Sequence, residues 1–148
     1  MNVIRQLPHL PCACGSLRRA SRALTKMYEE ALRPHGLTAT QFTILQVLTL
    51  AGELTQGALG EALVMDSTSL SRTLRPMVAN KWVAVRRGDD RRQRFISLAA
   101  EGRSKFRHAS SEWEATQQKL RAELGDAGWK QLFAVTNTIP RAALQLAQ

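Results

Sequence analysis

Cysteine is almost absent from this chain: two in 148 residues, set together as Cys12-Ala13-Cys14. So close a pair builds no framework of crosslinks, and a reducing, bacterial-type cytoplasm is the expected compartment. Nowhere do 18 apolar residues run together, and no basic segment leads into an apolar one, so neither a membrane partner nor a secretory leader is expected. Repeats and low-complexity tracts are missing as well. Histidine is equally sparse: His9, His35 and His108 lie far apart, at no metal-ligand or nucleophile-to-base spacing. Gly57 and Gly60 punctuate a short helix rather than a phosphate-cradling loop, and Cys12-Ala13-Cys14 has no companions that would complete a metal site. These absences leave no catalytic residue, no metal and no cofactor to assign, and they count against an enzyme. With 44% hydrophobic residues, the length suits one modest core and one domain over residues 1–148.

Acidic residues are also few, 12 against 21 Lys and Arg, and the resulting formal +9 is unevenly spread. Between Asp66 and Leu98 stand eight basic residues and three acids, more than half of the net charge in under a quarter of the length. That concentration suits a surface for phosphates. After Asp66, helical spacing puts Leu70, Leu74, Met77 and Val78 on one side and Thr68, Arg72 and Arg75 on the other. Asp66 or Ser67 caps the first turn, and the short hydroxyl residues Ser67, Thr68, Ser69 and Ser71 leave the N-terminal half slim enough to enter a major groove. Pro76 removes the bond to the Arg72 carbonyl and favours a bend. By itself this segment is equally an amphipathic helix with a solvated basic face.

The next stretch separates the two readings. Residues 82–87 and 93–98 alternate like strands around the polar tip Gly88-Asp89-Asp90-Arg91-Arg92, which makes a hairpin. Arg91 and Arg92 project from the tip toward a minor groove, with Arg94 on the returning strand. Asp90 is read as a wing-orienting group that pairs with a neighbouring arginine, or else as a plain turn-former. Upstream, residues 38–50 read as a buried helix and residues 54–63 as a short helix capped by Thr55. Two helices, a turn, the basic helix and the hairpin make a winged helix-turn-helix over residues 38–98. The expected fold class is mainly α with a small β wing, flanked by helices at about 13–34 and 100–147. In the last of these, Trp129, Leu132, Phe133, Ile139 and Leu144 recur at helical spacing, a stripe wide enough to pair with a second copy of the chain.

At this point the chain resembles the MarR family of bacterial transcription regulators. The matching residues are Gly36-Leu37-Thr38 with Gln41-Phe42, then Asp66 through Pro76, then Asp90-Arg91-Arg92 through Leu98 to Gly102. The resemblance covers nearly everything from Cys14 onward. One departure stands at the wing's exit, where Leu98-Ala99-Ala100-Glu101-Gly102 replaces the usual Leu-Thr-x-x-Gly. Losing the Thr cap costs roughly 1 kcal/mol, so either Ser97 substitutes or the helix starts more loosely. The resemblance implies a homodimer on a pseudo-palindromic double-stranded DNA operator, usually as a repressor, contacting DNA through Ser67, Thr68, Ser69, Ser71, Arg72, Arg75, Arg91, Arg92 and Arg94. The alternative from another class is a basic helical interaction module without specific DNA readout.

The resemblance also implies a signal. Family members commonly release DNA on binding small phenolic or aromatic acids, while one subset oxidises a cysteine near the start of the first helix. Cys14 and Tyr28 are spaced as in that organic-hydroperoxide-sensing subset, and Arg18 and Arg19 one turn on would favour the Cys14 thiolate. Ala39 stands where the subset has a second tyrosine, and the C-terminal half holds no resolving cysteine. Both a small aromatic effector and a Cys14-based peroxide sensor are therefore carried forward.

Overall fold

A computed structural model describes residues 8–147. Helix α1 (Ala13–Leu32) leads through a 3-10 turn (Arg33–His35) into α2 (Ala39–Ala51), then strand β1 (Leu54–Thr55), α3 (Gln56–Leu63), α4 (Ser67–Ala79), β2 (Val83–Arg87), β3 (Arg94–Leu98) and α5 (Ala100–Leu146). Each helix of the central unit starts where its sequence offers an acceptor. Thr38 and Gln41 form a reciprocal capping box at α2, with Gln41 N–H donating to Thr38 Oγ1 at 3.2 Å and Thr38 N–H to Gln41 Oε1 at 3.0 Å. At α3, Ala58 N–H donates to Thr55 Oγ1 at 3.1 Å. At α1 the cap is Cys12, whose Sγ accepts from Gly15 N–H at 3.4 Å.

The core lies where α2 meets α4 and the sheet. Ile44, Leu45 and Leu48 from α2 pack with Leu59, with Leu70, Leu74 and Met77 from α4, and with Val83 and Ile96 from the strands. Phe42 extends it toward α5, with ring centroids 5.1 Å from Phe106 and 5.5 Å from Trp113. Val78 departs from the expected apolar side of α4: it stays 40% exposed, because it sits at the edge of the stripe that Leu70, Leu74 and Met77 define. Pro76 is accommodated within α4, where the Pro76 carbonyl accepts from the side chain of Asn80 at 2.8 Å.

The sheet has three strands, not the two of the hairpin alone. Its order is β1-β3-β2, and Leu54 and Thr55 pair antiparallel with Ile96 and Phe95. Leu54, assigned to a helix by its sequence, is taken instead by the free edge of β3. Ser97 does not replace the missing cap at the wing's exit, since α5 starts from Ala99 with no side-chain hydrogen bond. The N-cap residue is held by its own backbone instead: Ala99 N–H donates to the Trp82 carbonyl at 3.1 Å. Helix α5 is broken at Gly125 (φ 70, ψ 167), a conformation that suits glycine, and so forms two arms, 100–124 and 126–146.

Gly102 has the least room of the described glycines. A Cβ there would lie 1.9 Å from the Trp82 oxygen, so the first turn of α5 rests directly on the backbone leading into β2. Gly102→Ala is therefore expected to destabilise by about 1–3 kcal/mol in urea denaturation, the usual range for overpacking. Gly128→Ala is the control, because its Cβ would meet only Leu124 Cβ at 3.4 Å. It should be neutral, or stabilising by about 0.5–1 kcal/mol as expected for replacing a helical glycine.

Candidate nucleic-acid interface

Burial of Leu70, Leu74 and Met77 leaves Ser67, Thr68, Ser71, Arg72 and Arg75 exposed, and these five line one shallow hollow along α4. Ser69 is exposed too, but its hydroxyl is committed. It donates to Asp66 Oδ2 at 2.7 Å while its N–H donates to Asp66 Oδ1 at 2.8 Å. The hydrogen bonds from Ser69 hold the Asp66 carboxyl below the ordinary aspartate range. Ser71 Oγ accepts from Gln56 Nε2 at 2.8 Å, which ties the start of α3 to the reading helix. Gln56 escaped the sequence reading because its partner lies 15 residues away, across the turn between α3 and α4.

Arg91, Arg92 and Arg94 are all exposed on the wing. Asp90 orients the tip through the backbone: its Oδ1 accepts from Arg92 N–H at 2.9 Å, and its carbonyl from Gln93 N–H at 2.9 Å. The ion pair expected there forms instead at the base of the wing. Arg86 grips Glu53 with Nη2 at 2.5 Å and Nε at 3.3 Å, and its guanidinium lies 4.3 Å from the Phe95 ring centroid. The bond to Arg86 lowers the Glu53 pKa and the same contact raises that of Arg86. This clasp is fork-shaped, joins β2 to the turn after α2, and removes Arg86 from the free cations of the surface. Arg92 and Arg94 then share a cleft with Gln56 and Ser67, so wing and reading helix border the same space.

Away from this surface, α1, α2 and both arms of α5 line an open cavity of about 310 Å³. Trp129, Leu132 and Phe133 line it, so part of the terminal apolar stripe packs within the protomer. Phe133 and Leu144 nevertheless remain 42% and 55% exposed, and Ile139 is half-buried. Tyr28 also lines the cavity and donates its hydroxyl to Gln117 Oε1. Cys14 is exposed at the start of the same helix, about 21 Å from Tyr28 at 1.5 Å per residue. Within one protomer, Tyr28 therefore does not reach the Cys14 thiol. The described residues hold no cluster of His, Cys, Asp and Glu fit for a metal ion, and none of their helices is long and apolar enough to cross a membrane.

Capped reading helix, basic wing and tethering strand together define a winged helix-turn-helix DNA-binding protein. The profile described as MarR family matches residues 35–93. The M. tuberculosis transcriptional regulator MosR, solved in complex with DNA, is 35% identical, with a TM-score of 0.84 over 93% of this chain and 99% of that one. The uncharacterized HTH-type transcriptional regulator YwoH of Bacillus subtilis is 26% identical over 110 residues, 74% of this chain and 80% of YwoH. BpsR of Bordetella bronchiseptica, described for the regulation of its DNA binding by 6-hydroxynicotinic acid, shares the fold at 21% identity and a TM-score of 0.77, over 90% of this chain and 97% of that one. The chain belongs to the MarR family and is a DNA-binding transcriptional regulator, not an enzyme.

The Asp66 cap gives a pH test. Because the carboxyl is held low in the folded state, its contribution is complete above the ordinary aspartate pKa of about 3.9 and is lost as pH falls through the lower folded value. In thermal melts, the wild type is expected to exceed Asp66→Ala at pH 7, with the gap closing under acid. A gap independent of pH would show that the charged cap is not its source.

Proposed function

We propose that the protein is a homodimeric repressor that occupies a pseudo-palindromic operator and lets go when a small aromatic ligand enters the cavity between α1, α2 and α5. The observation that carries the DNA reading is the shared border of α4 and the wing: Ser67 and Ser71 line one cleft with Arg92 and Arg94, Arg75 lines the next with Arg94, and Arg72 continues the α4 side. Thr68, Ser67 and Arg72 reach base edges. Ser71 contributes from a position held by Gln56, and Ser69 acts by keeping the cap in shape. Arg75, Arg91, Arg92 and Arg94 hold phosphates or the minor groove, and Asp90 shapes the tip that presents them. A DNA partner implies the compartment of the genome, the cytoplasm of a bacterial cell.

Residues 38–98 act as the reader within one domain of 148 residues, and 13–34 with 100–147 pair the two copies. The exposure of Leu17, Leu124, Phe133 and Leu144 on α1 and α5 supports that pairing, as does the two-fold symmetry usual for operators. Coupling to the ligand runs along the second arm of α5, which walls the cavity with Trp129 and Thr136 and ends with Leu144 at the cleft beside Ser67 and Arg92. Ligand release is favoured over oxidation at Cys14 because Tyr28 is bonded to Gln117 and belongs to the cavity.

Salt titrations on operator and scrambled DNA test the docking. Arg72→Ala is expected to relax discrimination at one operator position by roughly 1–3 kcal/mol. Arg92→Ala should weaken binding to all sequences alike and flatten log K against log salt by about 0.9 for each phosphate that is no longer neutralised. If Arg92→Ala leaves slope and affinity unchanged on both DNAs, the wing does not touch DNA.

A further inference from the structure

Five arginines, Arg86, Arg87, Arg91, Arg92 and Arg94, crowd nine residues of the wing against two acids, Asp89 and Asp90. The strand register adds to the strain of that charge, because Arg87 stands directly across from Arg94, where like charges push two strands apart. Asp90 spends its carboxylate on the Arg92 N–H rather than on a guanidinium. A hairpin so charged needs an anion from elsewhere in the fold. Among the described residues, one ion pair reaches it, from Glu53 to Arg86.

Gly52, at φ 75, ends α2, and Glu53 is the last residue before β1. Thr55, Phe95 and Arg86 form one row across β1, β3 and β2. Arg86 therefore reaches from one edge strand, over the Phe95 ring of the middle strand, to the carboxylate at the other edge, and straps all three together. Side chains alternate between the faces of a sheet, so Val85, Arg87, Arg94 and Ile96 lie on the face opposite this strap. That opposite face borders one groove with Leu74, Arg75 and Val78 of α4. Glu53 thus sits behind the wing, while Arg87 and Arg94 look toward the reading helix.

An acid near a DNA-binding surface ordinarily weakens binding, since it repels phosphate and offsets a cation that would neutralise one. The strap reverses that expectation. We propose that Glu53 is a positioning residue for DNA binding: through Arg86 it holds the wing from behind, keeps Arg87 and Arg94 at the groove beside α4, and so raises affinity although it carries the charge of the DNA itself. The proposal rests on contact between wing and DNA.

Glu53→Gln keeps the shape of the side chain and removes its charge. Fluorescence anisotropy on an operator selected from random sequence and on scrambled DNA is expected to show binding weakened roughly twofold to fivefold on both, the scale of an exposed ion pair. The slope of log K against log salt should be no steeper than in the wild type. A simple charge effect has the opposite sign, with tighter binding and a steeper slope. Because both residues act through one contact, the double variant Glu53→Gln, Arg86→Gln should bind no more weakly than Arg86→Gln alone. Circular dichroism checks the fold of each variant. Binding by Glu53→Gln that equals or exceeds that of the wild type overturns the proposal, as do additive effects of the two substitutions. A loss confined to the operator also overturns it, because the fault then lies in the reading helix. Arg92→Ala, measured alongside, separates this proposal from the docking it rests on: weakening by Arg92→Ala without weakening by Glu53→Gln keeps the wing on DNA and sinks the role of Glu53 alone.

Discussion

The facing of α4 decides what this protein can touch. Leu70, Leu74 and Met77 recur at the helical period and are each under 5% exposed, so the opposite side of the helix has to face outward. Arg72 and Arg75 stand there because the core takes the other face, and the slim residues near the N-terminus let that face approach a groove. A charge at Leu74 would disturb the reader twice, by opening the core and by turning the arginines.

The wing would be a loose hairpin without the contacts at its base, since an isolated two-stranded ribbon is marginal in water. Three features restrain it. Strand β1 occupies the other edge of β3, Arg86 clasps Glu53 beneath Phe95, and the first turn of α5 sits on the Trp82 carbonyl where Gly102 leaves room. They tie the wing to α2 on one side and to α5 on the other. The second arm of α5 then runs from the aromatic cavity to the cleft beside α4, so one element borders both.

Most of this architecture is legible in the sequence because it rests on local patterns. The caps at Thr55 and Asp66, the Leu70-Leu74-Met77 period of α4 and the paired strands all act over a few residues, and each formed as read, whereas the Thr38 capping box and the exposure of Val78 emerged only in the structure. What escaped depends on distant partners. Leu54 has a helix-like neighbourhood and becomes a strand because β3 offers it an edge. Gln56 and Glu53 reveal their roles through Ser71 and Arg86, 15 and 33 residues away. Asp90 stands among arginines, yet its carboxyl is taken by the nearer Arg92 N–H. Arg72, Arg75, Arg91, Arg92 and Arg94 are exposed, as the apolar period and the hairpin tip lead one to expect, while the lining of the cavity depends on side chains from three helices that no linear motif connects.

The central claim is that two copies of this reader engage DNA about a two-fold axis. Hydroxyl-radical footprinting on an operator selected from random sequence tests it directly. Symmetric protected tracts are expected, their reading-helix centres separated by one helical turn of about 10–10.5 base pairs or a multiple of it, with minor-groove protection at the wings. A single asymmetric tract, or protection that ignores sequence, would contradict it.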